Sequence, residues 1–373
     1  MEIIVIKIGS SVLTDNGKAI NENKIRHLAS QISLINKNYG KVILVTSGAI
    51  AAGIGILEIN KKPSQIIEKQ ALAAVGQSAL MHVYEKMFKT EGIKIAQVLL
   101  SQKDFNYRPS YLNARNVLYK LLEMDVVPII NENDTTAIEE IKFGDNDNLS
   151  FLVASMIRAR KLILVTDVDG LFNKNPQEKG AKLIKTFDLE NNIYQKAYNL
   201  DVGKVGTGGM LSKISTAGKA VNDGIDVYLV NGNKKDTVIN VFKSSFYGTY
   251  FLGKDRTNCS KKSWLAFATK SGAFLTIDDG AKEAIVSNKS LLPSGIKCLD
   301  GNFLKGDLVN ILDKNKKVIG KGIVNYDSKE INSILGAKSE EIEKILGYRY
   351  SDEIIHKDNL VIIWQSFYLK YNP

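Results

Sequence analysis

Residues 3–11 read IIVIKIGSS, a run of β-branched side chains that is interrupted by Lys7 and ends at Gly9 and two serines. Such an apolar run predicts a strand that is buried on both faces, as in a parallel sheet. A lysine within it is costly to bury without an anionic partner, and the backbone amides of the following Gly-Ser-Ser turn can bind an anion. The other interpretation is a lysine on an edge strand whose ammonium group reaches the solvent.

Short apolar runs and helical patterns alternate along the chain up to about residue 250. Strands are predicted at residues 3–8, 42–46, 96–100, 126–130, 162–166 and 226–230. Helices are predicted at residues 21–38, 64–89, 148–158 and 210–222, and from about residue 110. This order predicts an α/β fold with a mostly parallel sheet covered on both faces, in which ligands bind at the carboxyl ends of the strands.

The pattern changes after a polar segment, KDRTNCSKKS, at residues 254–263. Short strands and turns follow it and predict a second, smaller, mainly β domain. The strands are expected near residues 274–277, 306–312 and 318–325, with turns at DDG (278–280) and LPSG (292–295). We therefore predict a ligand-binding domain at residues 1–253, a linker at 254–271, and a second domain with a C-terminal extension at 272–373.

Composition and charge bound the class of protein. The 373 residues are 44% hydrophobic and 24% charged, which is near the globular average and excludes a disordered chain. The net charge of +10 lies entirely in residues 1–270, because residues 271–373 carry 14 basic and 14 acidic side chains. No run of five basic residues occurs, so a phosphate-bearing substrate explains the charge at least as well as nucleic acid.

Cysteine and histidine usage gives no metal site. Cys259 and Cys298 are too far apart for a metal-binding knuckle, and the three histidines are scattered. The N-terminus lacks the pattern of a signal peptide, and the longest uncharged run, residues 42–57, is shorter than the ~20 residues of a membrane span. We expect a cytoplasmic protein with no membrane partner.

Three further loops with glycine or polar residues follow predicted strands. TSGA at 46–49 begins a helix whose amides can bind carboxylate or phosphate, or Ser47 simply caps that helix. NEND at 131–134 and FGDNDN at 143–148 can bind an ammonium group, or they form an Asx-rich surface loop. TDVDG at 166–170 and GTGGMLSK at 206–213 suit a polyphosphate, or they are surface turns.

The common phosphate-binding signatures are absent. No GxxxxGK[ST] motif occurs; the segment from Gly248 to Lys254 comes close, but Asp255 follows it and it lies beyond the last predicted strand. No complete GxGxxG follows a strand, and the HRD and DFG motifs of protein kinases are missing. A nucleotide bound by this chain would need another scheme.

Six motifs in fixed order carry a resemblance over nearly the whole chain. They are KIGSSVL at 7–13, VTSGAIAAG at 45–53, NENDT at 131–135, FGDNDNLS at 143–150, TDVDGLF at 166–172 and GTGGMLSK at 206–213. Together they resemble the amino-acid kinase family, most closely its glutamate-phosphorylating members. The segments at 272–296 and 301–311 resemble a PUA domain. The fold that this resemblance implies is the three-layer sandwich of these kinases with a mostly parallel sheet, plus a small mainly β PUA-like domain.

The resemblance also implies a reaction, the ATP-dependent phosphorylation of the γ-carboxylate of L-glutamate to glutamyl 5-phosphate and ADP, the first step of proline biosynthesis. It assigns catalytic roles to Lys7 and Lys213, on either side of the transferring phosphoryl group, and to Asp147, which holds both lysines. The glutamate contacts that it implies are Ser47, Asp134 and Asn146, and the amides that cradle the phosphoryl group are those of Gly9 and Gly48. The ATP-binding residues that it implies are Lys7, Thr166, Asp167, Thr207, Gly208, Gly209, Met210, Leu211, Ser212 and Lys213.

The chemistry agrees with the lack of a candidate catalytic histidine. A carboxylate acceptor is already ionised at pH 7 and needs no general base. We expect Mg²⁺ to enter with ATP, held by phosphate oxygens and water, and we assign it no protein ligand. We also expect a homo-oligomer and a separate reductase that consumes the acyl phosphate, since no reductase domain follows in the sequence.

Several alternatives stay open at this point. Another member of the same family, an acetylglutamate, aspartate, carbamate or uridylate kinase, would share the fold and the glycine-rich loops. The PUA-like domain could bind RNA, although its net charge of zero disfavours this, or it could serve assembly or regulation. Feedback inhibition by proline is a hypothesis from the resemblance, located at residues 101–106, and a proline titration of an Asp104→Asn variant would test it.

Overall fold

The N-terminal apolar run forms β1 (Ile3–Ile8) at the centre of an eight-stranded sheet. The computed structural model describes residues 2–15, 19–59, 63–136, 146–187, 208–254 and 272–362. They fall into two compact units, residues 1–256 and 257–373, and each unit has its own hydrophobic core. The first unit contains all the described residues that the sequence singled out for the reaction.

The sheet of the first unit is mostly parallel, as predicted. Its other strands are β4 (Lys41–Val45), β5 (Lys94–Leu100), β6 (Val126–Glu132), β7 (Lys161–Thr166), β8 (Thr186–Phe187), β9 (Asp226–Asn231) and β10 (Thr249–Phe251). The strand order is β5-β6-β4-β1-β7-β9-β10-β8, and the six strands from β5 to β9 run parallel. A hairpin of β2 (Thr14–Asp15) and β3 (Ala19–Ile20) lies outside this sheet.

The two strands at the far edge were not predicted. β10 pairs antiparallel with β9, and β8 pairs with β10. β10 lies inside the segment 248–254, which the sequence analysis placed beyond the last strand, and that placement is wrong. Strands of two and three residues are too short to show a periodic pattern.

Helices cover both faces of the sheet. They are α1 (Ser10–Leu13), α2 (Glu22–Asn38), α3 (Ala49–Ile56), α4 (Ile66–Thr90), α5 (Gln102–Asn106), α6 (Arg108–Glu123), α7 (Asn146–Met156), α8 (Gly208–Asn222) and α9 (Thr237–Asn240). Side chains of α2, α4 and α9 share one core with Ile4, Ile6 and Ile8. Because side chains alternate along a strand, Lys7 faces the opposite side, where α7 packs against β1.

The register of β1 decides between the two interpretations of Lys7. Lys7 lies opposite Val45 of β4 and Leu164 of β7, so its strand is paired on both sides. Only 5% of the residue is exposed. The edge-strand interpretation is therefore wrong, and the lysine needs a buried anionic partner.

Two glycines let α3 and α4 cross backbone to backbone. A Cβ atom on Gly76 would lie 1.8 Å from the carbonyl oxygen of Ala49, and one on Gly53 would lie 2.0 Å from that of Leu72. Any side chain at these positions forces the helices apart. Since α3 begins directly after the loop that follows β4, this crossing also fixes where residues 46–48 lie.

We expect Gly76→Ala to lower the free energy of unfolding by about 3 kcal/mol, the upper end of what overpacking costs, because the new methyl group meets backbone rather than a flexible side chain. Urea denaturation, followed through the unfolding transition of the first unit, measures this loss. Ser78→Ala, at an exposed position on the same helix, is the control and should change stability by less than about 0.5 kcal/mol. An unchanged midpoint for Gly76→Ala would contradict the tight crossing.

The second unit is mainly β, as predicted. Its five-stranded sheet has the order β12-β11-β13-β14-β15, built from β11 (Phe274–Ile277), β12 (Ile296–Asp300), β13 (Leu308–Leu312), β14 (Val318–Ile323) and β15 (Leu360–Ile362). Three short helices were not predicted: α10 (Asp279–Val286), α11 (Ser328–Ser333) and α12 (Ile342–Leu346). The predicted DDG turn is the start of α10, whose first turn is capped by the Asp278 carboxylate through the Ala281 amide at 2.8 Å.

None of the described helices is long and apolar enough to cross a membrane.

Candidate active site

A buried carboxylate between two lysines forms the centre of the candidate site. Asp147, in the first turn of α7, is 1% exposed. Its Oδ1 contacts the ammonium group of Lys7 on β1, and its Oδ2 lies 3.0 Å from that of Lys213 on α8. Three segments far apart in sequence thus meet at the carboxyl end of the central strand. We call these three residues the lysine–aspartate cluster.

The electrostatics of the cluster favour anions. Burial alone would raise the pKa of the Asp147 carboxyl, but the ammonium groups of Lys7 and Lys213 outweigh it and hold that pKa below its ordinary value. The two lysine side chains are only 7% and 15% exposed, so little solvent screens them. Two positive charges against one negative charge leave the cluster with one net positive charge to offer to an incoming anion.

Gly9 serves this cluster differently from the prediction. Its amide donates to the carbonyl of Val165 at 3.0 Å, so this amide is used within the sheet rather than turned toward a phosphoryl group. A Cβ atom on Gly9 would lie 4.0 Å from the Lys7 ammonium nitrogen. The missing side chain, rather than the amide, keeps space open beside the lysine.

The turn after β4 places Ser47 and Gly48 at the same edge of the sheet. Gly48 caps α3 with φ of +104°, a conformation that favours glycine, and α3 has no side-chain cap. The hydroxyl of Ser47 instead accepts a hydrogen bond from the Asn146 side chain at 3.0 Å. The interpretation of Ser47 as a plain helix cap is therefore wrong.

Three side-chain amides, which we call the amide chain, connect α4, β6 and α7. Asn146 donates through Nδ2 to the Thr46 carbonyl at 2.6 Å and to Asn131 Oδ1 at 2.9 Å. Asn131 in turn donates through Nδ2 to Gln77 Oε1 at 2.7 Å. Asn146 and Asn131 are buried. The amide chain holds Asn146, a predicted glutamate contact, next to Asp147 of the lysine–aspartate cluster.

Asp134 follows β6 and is half-buried. Burial raises the pKa of its carboxyl to about 6. A carboxylate that is partly removed from water gains most from a cation that enters with a ligand. An ammonium group of a substrate would supply that charge.

Residues 101–106, where the sequence analysis located the hypothetical proline response, follow β5, the strand next to β6. The Asp104 carboxylate accepts from the amide of Ser101 at 2.7 Å and from its hydroxyl at 2.9 Å, which caps α5. This segment thus lies at the same edge of the sheet as Asn131.

The segments predicted for ATP lie around the ends of β7 and α8. Thr166 ends β7, and its hydroxyl donates to the Asp167 carboxylate at 3.1 Å. Residues 208–213 form the beginning of α8 and so are helical rather than a surface turn, while Thr207 lies outside the described residues. Nearby, Asp169 accepts from Asn231 Nδ2 and Lys234 Nζ, each at 2.7 Å.

A cavity of about 360 Å³ opens where α1 and α2 face the loop after β9. Lys24, His27 and Lys234 are among its polar lining residues, and Val12, Val165 and Gly232 form apolar wall. Lys24 already donates to the Thr14 carbonyl at 3.0 Å, and Lys234 is paired with Asp169. Of the residues predicted for the reaction, none that the structure describes lines this cavity.

The donor set of the site bears on Mg²⁺. Within the described parts of the chain, no three His, Cys, Asp or Glu side chains are grouped so that they could hold a metal ion. Asp147 is enclosed by two ammonium groups, which compete with any cation for its oxygens. An ion that is carried by phosphate oxygens and water is compatible with these charges, and Mg²⁺ is usually bound in that way.

Two residues of the site were missed by the sequence analysis as individual contacts. Asn131 lies inside the NEND motif, so the motif was a signal, but nothing distinguished its buried side chain from its neighbours. Gln77 lies in an Ala-rich helical pattern with no motif around it. Only its hydrogen bond from Asn131 on β6 shows that its side chain reaches the site.

Comparison with known proteins identifies what the chain is similar to. The model of the amino acid kinase family matches residues 2–231, and the PUA domain model matches residues 274–346. Proteins named glutamate 5-kinase from Caldanaerobacter subterraneus subsp. tengcongensis, a Thermoanaerobacter species and Geobacter sulfurreducens are 45%, 46% and 42% identical. Each alignment covers 96% of this chain and 97% of the relative. A solved isopentenyl phosphate kinase matches 67% of this chain and 99% of its own at 17% identity, with a TM-score of 0.46.

Proposed function

The chain belongs to the amino acid kinase family, and from this membership we infer that it transfers the γ-phosphoryl group of ATP to the γ-carboxylate of L-glutamate. The products are glutamyl 5-phosphate and ADP, and the reaction is the first step of proline biosynthesis. Full-length relatives at 42–46% identity carry the name of this activity, which favours glutamate over the acceptors of other family members. The observation that carries the mechanism is the lysine–aspartate cluster at the carboxyl edge of the sheet.

We propose that Lys7 and Lys213 bind the transferring phosphoryl group from opposite sides. The attacking carboxylate and the γ-phosphate are both anionic, so their approach costs Coulomb energy that buried cations offset. Asp147 keeps both ammonium groups fixed before the substrates arrive, so no reorganisation is needed as charge develops. The carboxylate acceptor is the nucleophile in its ionised form, and no general base takes part.

We propose that Ser47, Asn146 and Asp134 bind glutamate. The Ser47 hydroxyl accepts from the Asn146 amide, which holds it beside Asp147, and keeps its own proton to donate to the carboxylate that reacts. Asp134 suits the substrate's ammonium group because its carboxylate is partly buried. Gly48 leaves the uncapped N-terminus of α3 at the same edge, where its amides favour negative charge.

We propose that ATP lies over the ends of β7 and α8, in contact with Thr166, Asp167 and the segment 207–213. Mg²⁺, when bound, neutralises phosphate charge and is held by the nucleotide's oxygens. Lys213 then stands at the border between the nucleotide and the acceptor, because it lies one turn into α8 and reaches Asp147.

The direct test is an ATP-dependent assay with L-glutamate and hydroxylamine, which traps the acyl phosphate as a hydroxamate. N-acetylglutamate and aspartate are tested in parallel, and uridylate is tested by ADP release. Turnover specific to glutamate is the expected result. Activity with another acceptor instead would overturn the glutamate assignment while keeping the fold and the two lysines. A salt-dependent RNA shift by the full chain would revive the RNA-binding alternative.

We expect kcat/KM for glutamate to fall as the pH drops below about 6, the raised pKa of Asp134, because a protonated carboxyl no longer attracts an ammonium group. Asp134→Asn should raise KM and remove this limb of the pH profile. The measurement is kcat/KM from pH 5 to pH 8, with the KM for ATP as the control. A wild-type profile that is flat across pH 6 would contradict the role of Asp134.

We also propose a homo-oligomer. The edge strand β5 exposes Leu99. Leu57, just after α3, and Ile67 of α4 are also exposed, Ile67 to 70%. An edge strand and exposed apolar side chains are features that a second copy can cover. Light scattering at several concentrations tests it, and a monomer throughout would contradict it.

We further propose that the acyl phosphate passes to a separate reductase. A mixed anhydride hydrolyses readily, so an enzyme that reduces it must act soon after release. We place both steps in the cytoplasm, where ATP and glutamate are abundant. Coupled NADPH oxidation after adding a glutamyl phosphate reductase would test the transfer, and cell fractionation would test the compartment.

A further inference from the structure

The amide chain ends in a donor with no acceptor. Among the residues that the structure describes, the side-chain nitrogen of Gln77 is buried and has no hydrogen-bond partner. Its oxygen is already occupied by Asn131 Nδ2 at 2.7 Å. Buried polar groups are almost always paired, so an unpaired donor beside a substrate site calls for an explanation.

The orientation of this amide follows from one backbone carbonyl. The oxygen of Thr46 can only accept, so the Asn146 atom 2.6 Å from it must be the nitrogen. That same nitrogen also faces Asn131, whose facing atom must then be its oxygen. The other end of the Asn131 amide is consequently the nitrogen, and it must face the oxygen of Gln77.

The hydrogen-bond pattern therefore places the nitrogen of Gln77 at the far end of the amide chain. Rotating the Gln77 amide by half a turn would place two donors face to face, so it does not resolve the missing bond. What Gln77 Nε2 lacks is an acceptor. The proposed substrate brings two carboxylate groups, and only one of them reacts.

We propose that Gln77 is a substrate-binding residue whose Nε2 donates to the α-carboxylate of glutamate. This inference rests on the proposed function. The γ-carboxylate reacts at the lysine–aspartate cluster, which Asn146 adjoins directly in sequence. In the amide chain, Gln77 is the second amide after Asn146, at the end away from that cluster. The α-carboxylate is the part of the substrate that lies away from the reacting atoms.

The surroundings of Gln77 also favour substrate binding over a purely structural role. Its helix is held against α3 by the close crossing at Gly76, the preceding residue, so its backbone is fixed. Asp134 lies three residues after Asn131 and is proposed to take the ammonium group. A donor at Gln77 and an acceptor at Asp134 would together recognise the two groups on the α-carbon.

The test is Gln77→Glu, which keeps an oxygen for Asn131 Nδ2 but replaces the terminal donor with an acceptor. We expect the KM for glutamate to rise about ten- to hundredfold, the range for losing a hydrogen bond to a charged group, with kcat and the KM for ATP within about threefold. Ser78→Glu adds the same charge at the neighbouring exposed position of α4 and should leave the KM unchanged.

A substrate that carries a hydrogen-bond donor in place of an α-carboxylate oxygen makes the test more specific. Glutamate 1-amide carries N–H donors in place of one α-carboxylate oxygen, and these can bond to the carboxylate that Gln77→Glu introduces. We expect the ratio of kcat/KM for glutamate to that for the 1-amide to fall at least tenfold in this variant. If Gln77→Glu does not fold, Gln77→Met is used, and its KM for glutamate should rise without recovery by the 1-amide.

The outcomes separate this inference from the proposed function. A wild-type enzyme that does not turn over glutamate would overturn the proposed function. A wild-type enzyme that does, together with Gln77→Glu kinetics equal to wild type, would overturn the role of Gln77 alone. In Gln77→Glu, a loss confined to kcat, or an equal loss for both substrates, would also overturn it, because it would show that Gln77 only supports Asn131. In Gln77→Met, an unchanged KM for glutamate would overturn it.

Discussion

Replacing Lys213 with alanine is expected to lower kcat about 10²- to 10³-fold, the usual effect of removing one preorganised charge donor, with the KM for glutamate changed only a few-fold. The reason is that Lys213 is proposed to act on charge that builds up in the transition state rather than on either bound substrate. Its ammonium group is fixed by Asp147 at 3.0 Å and is 15% exposed, so water cannot replace it without reorganisation.

Steady-state kinetics with both substrates measure this effect. Lys219→Ala is the matched control, since Lys219 lies on the same helix, and its ammonium group contacts Asn148 at 3.0 Å rather than the cluster. That variant should keep kcat within about threefold. Near-normal turnover in Lys213→Ala would remove Lys213 from the mechanism, and a large rise in KM alone would make it a binding residue only.

Removing Asp147 is expected to cost both activity and stability. Asp147→Ala removes the buried carboxylate that both ammonium groups contact, and breaking a buried ion pair in this way costs about 3–5 kcal/mol of the free energy of unfolding. Activity should fall to background because neither lysine keeps its position. Urea denaturation and the hydroxamate assay measure the two effects separately.

A second variant shows whether the lost stability comes from repulsion between the two ammonium groups. Adding Lys213→Met to Asp147→Ala removes one of the two repelling ammonium groups, so the double variant should be more stable than Asp147→Ala alone. The difference between the stability loss of the double variant and the sum of the two single losses measures the coupling between the two residues. A double variant that is less stable by the sum of both single losses would contradict the ion-pair explanation.

The pH dependence of this stability has a definite sign. The folded-state pKa of Asp147 is lowered, so its contribution is present above the unfolded pKa of about 4 and is lost as the pH falls through the folded pKa. Asp134 acts the other way: burial raises its pKa from 3.8 to about 6, so its effect lowers stability as the pH rises through that window. The stability difference between wild type and Asp147→Ala should therefore shrink in acid.

The sequence predicted the central part of the fold because its signals are strong there. The runs that form β1, β4 and β7 are apolar and bounded by helices, and such runs report a buried parallel sheet directly. The resemblance implied site residues whose motifs follow strands, and several of these residues meet at one edge of the sheet because those strands end there. The charge of Lys7 within an apolar run was a physical signal of its own.

The remaining features have no local signature. The edge strands β8 and β10 are two and three residues long, and pairing with β9 rather than their own pattern makes them strands. The use of the Gly9 amide depends on the carbonyl of Val165, more than 150 residues away in sequence. Gln77 also has no local signature. Its proposed role follows only from the direction of the hydrogen bonds between three side-chain amides on separate elements.

The central position of β1 has a consequence for biosynthesis. β1 leaves the ribosome before both strands that pair with it, β4 and β7, and β7 is completed only at Thr166. Until then one edge of an apolar strand has no partner, and unpaired edges of this kind promote aggregation. The sheet of the nascent chain therefore stays unfinished, and accessible to chaperones, until residue 166 has been made. Lys7, which is proposed to bind the phosphoryl group, gains its second neighbouring strand only after this delay.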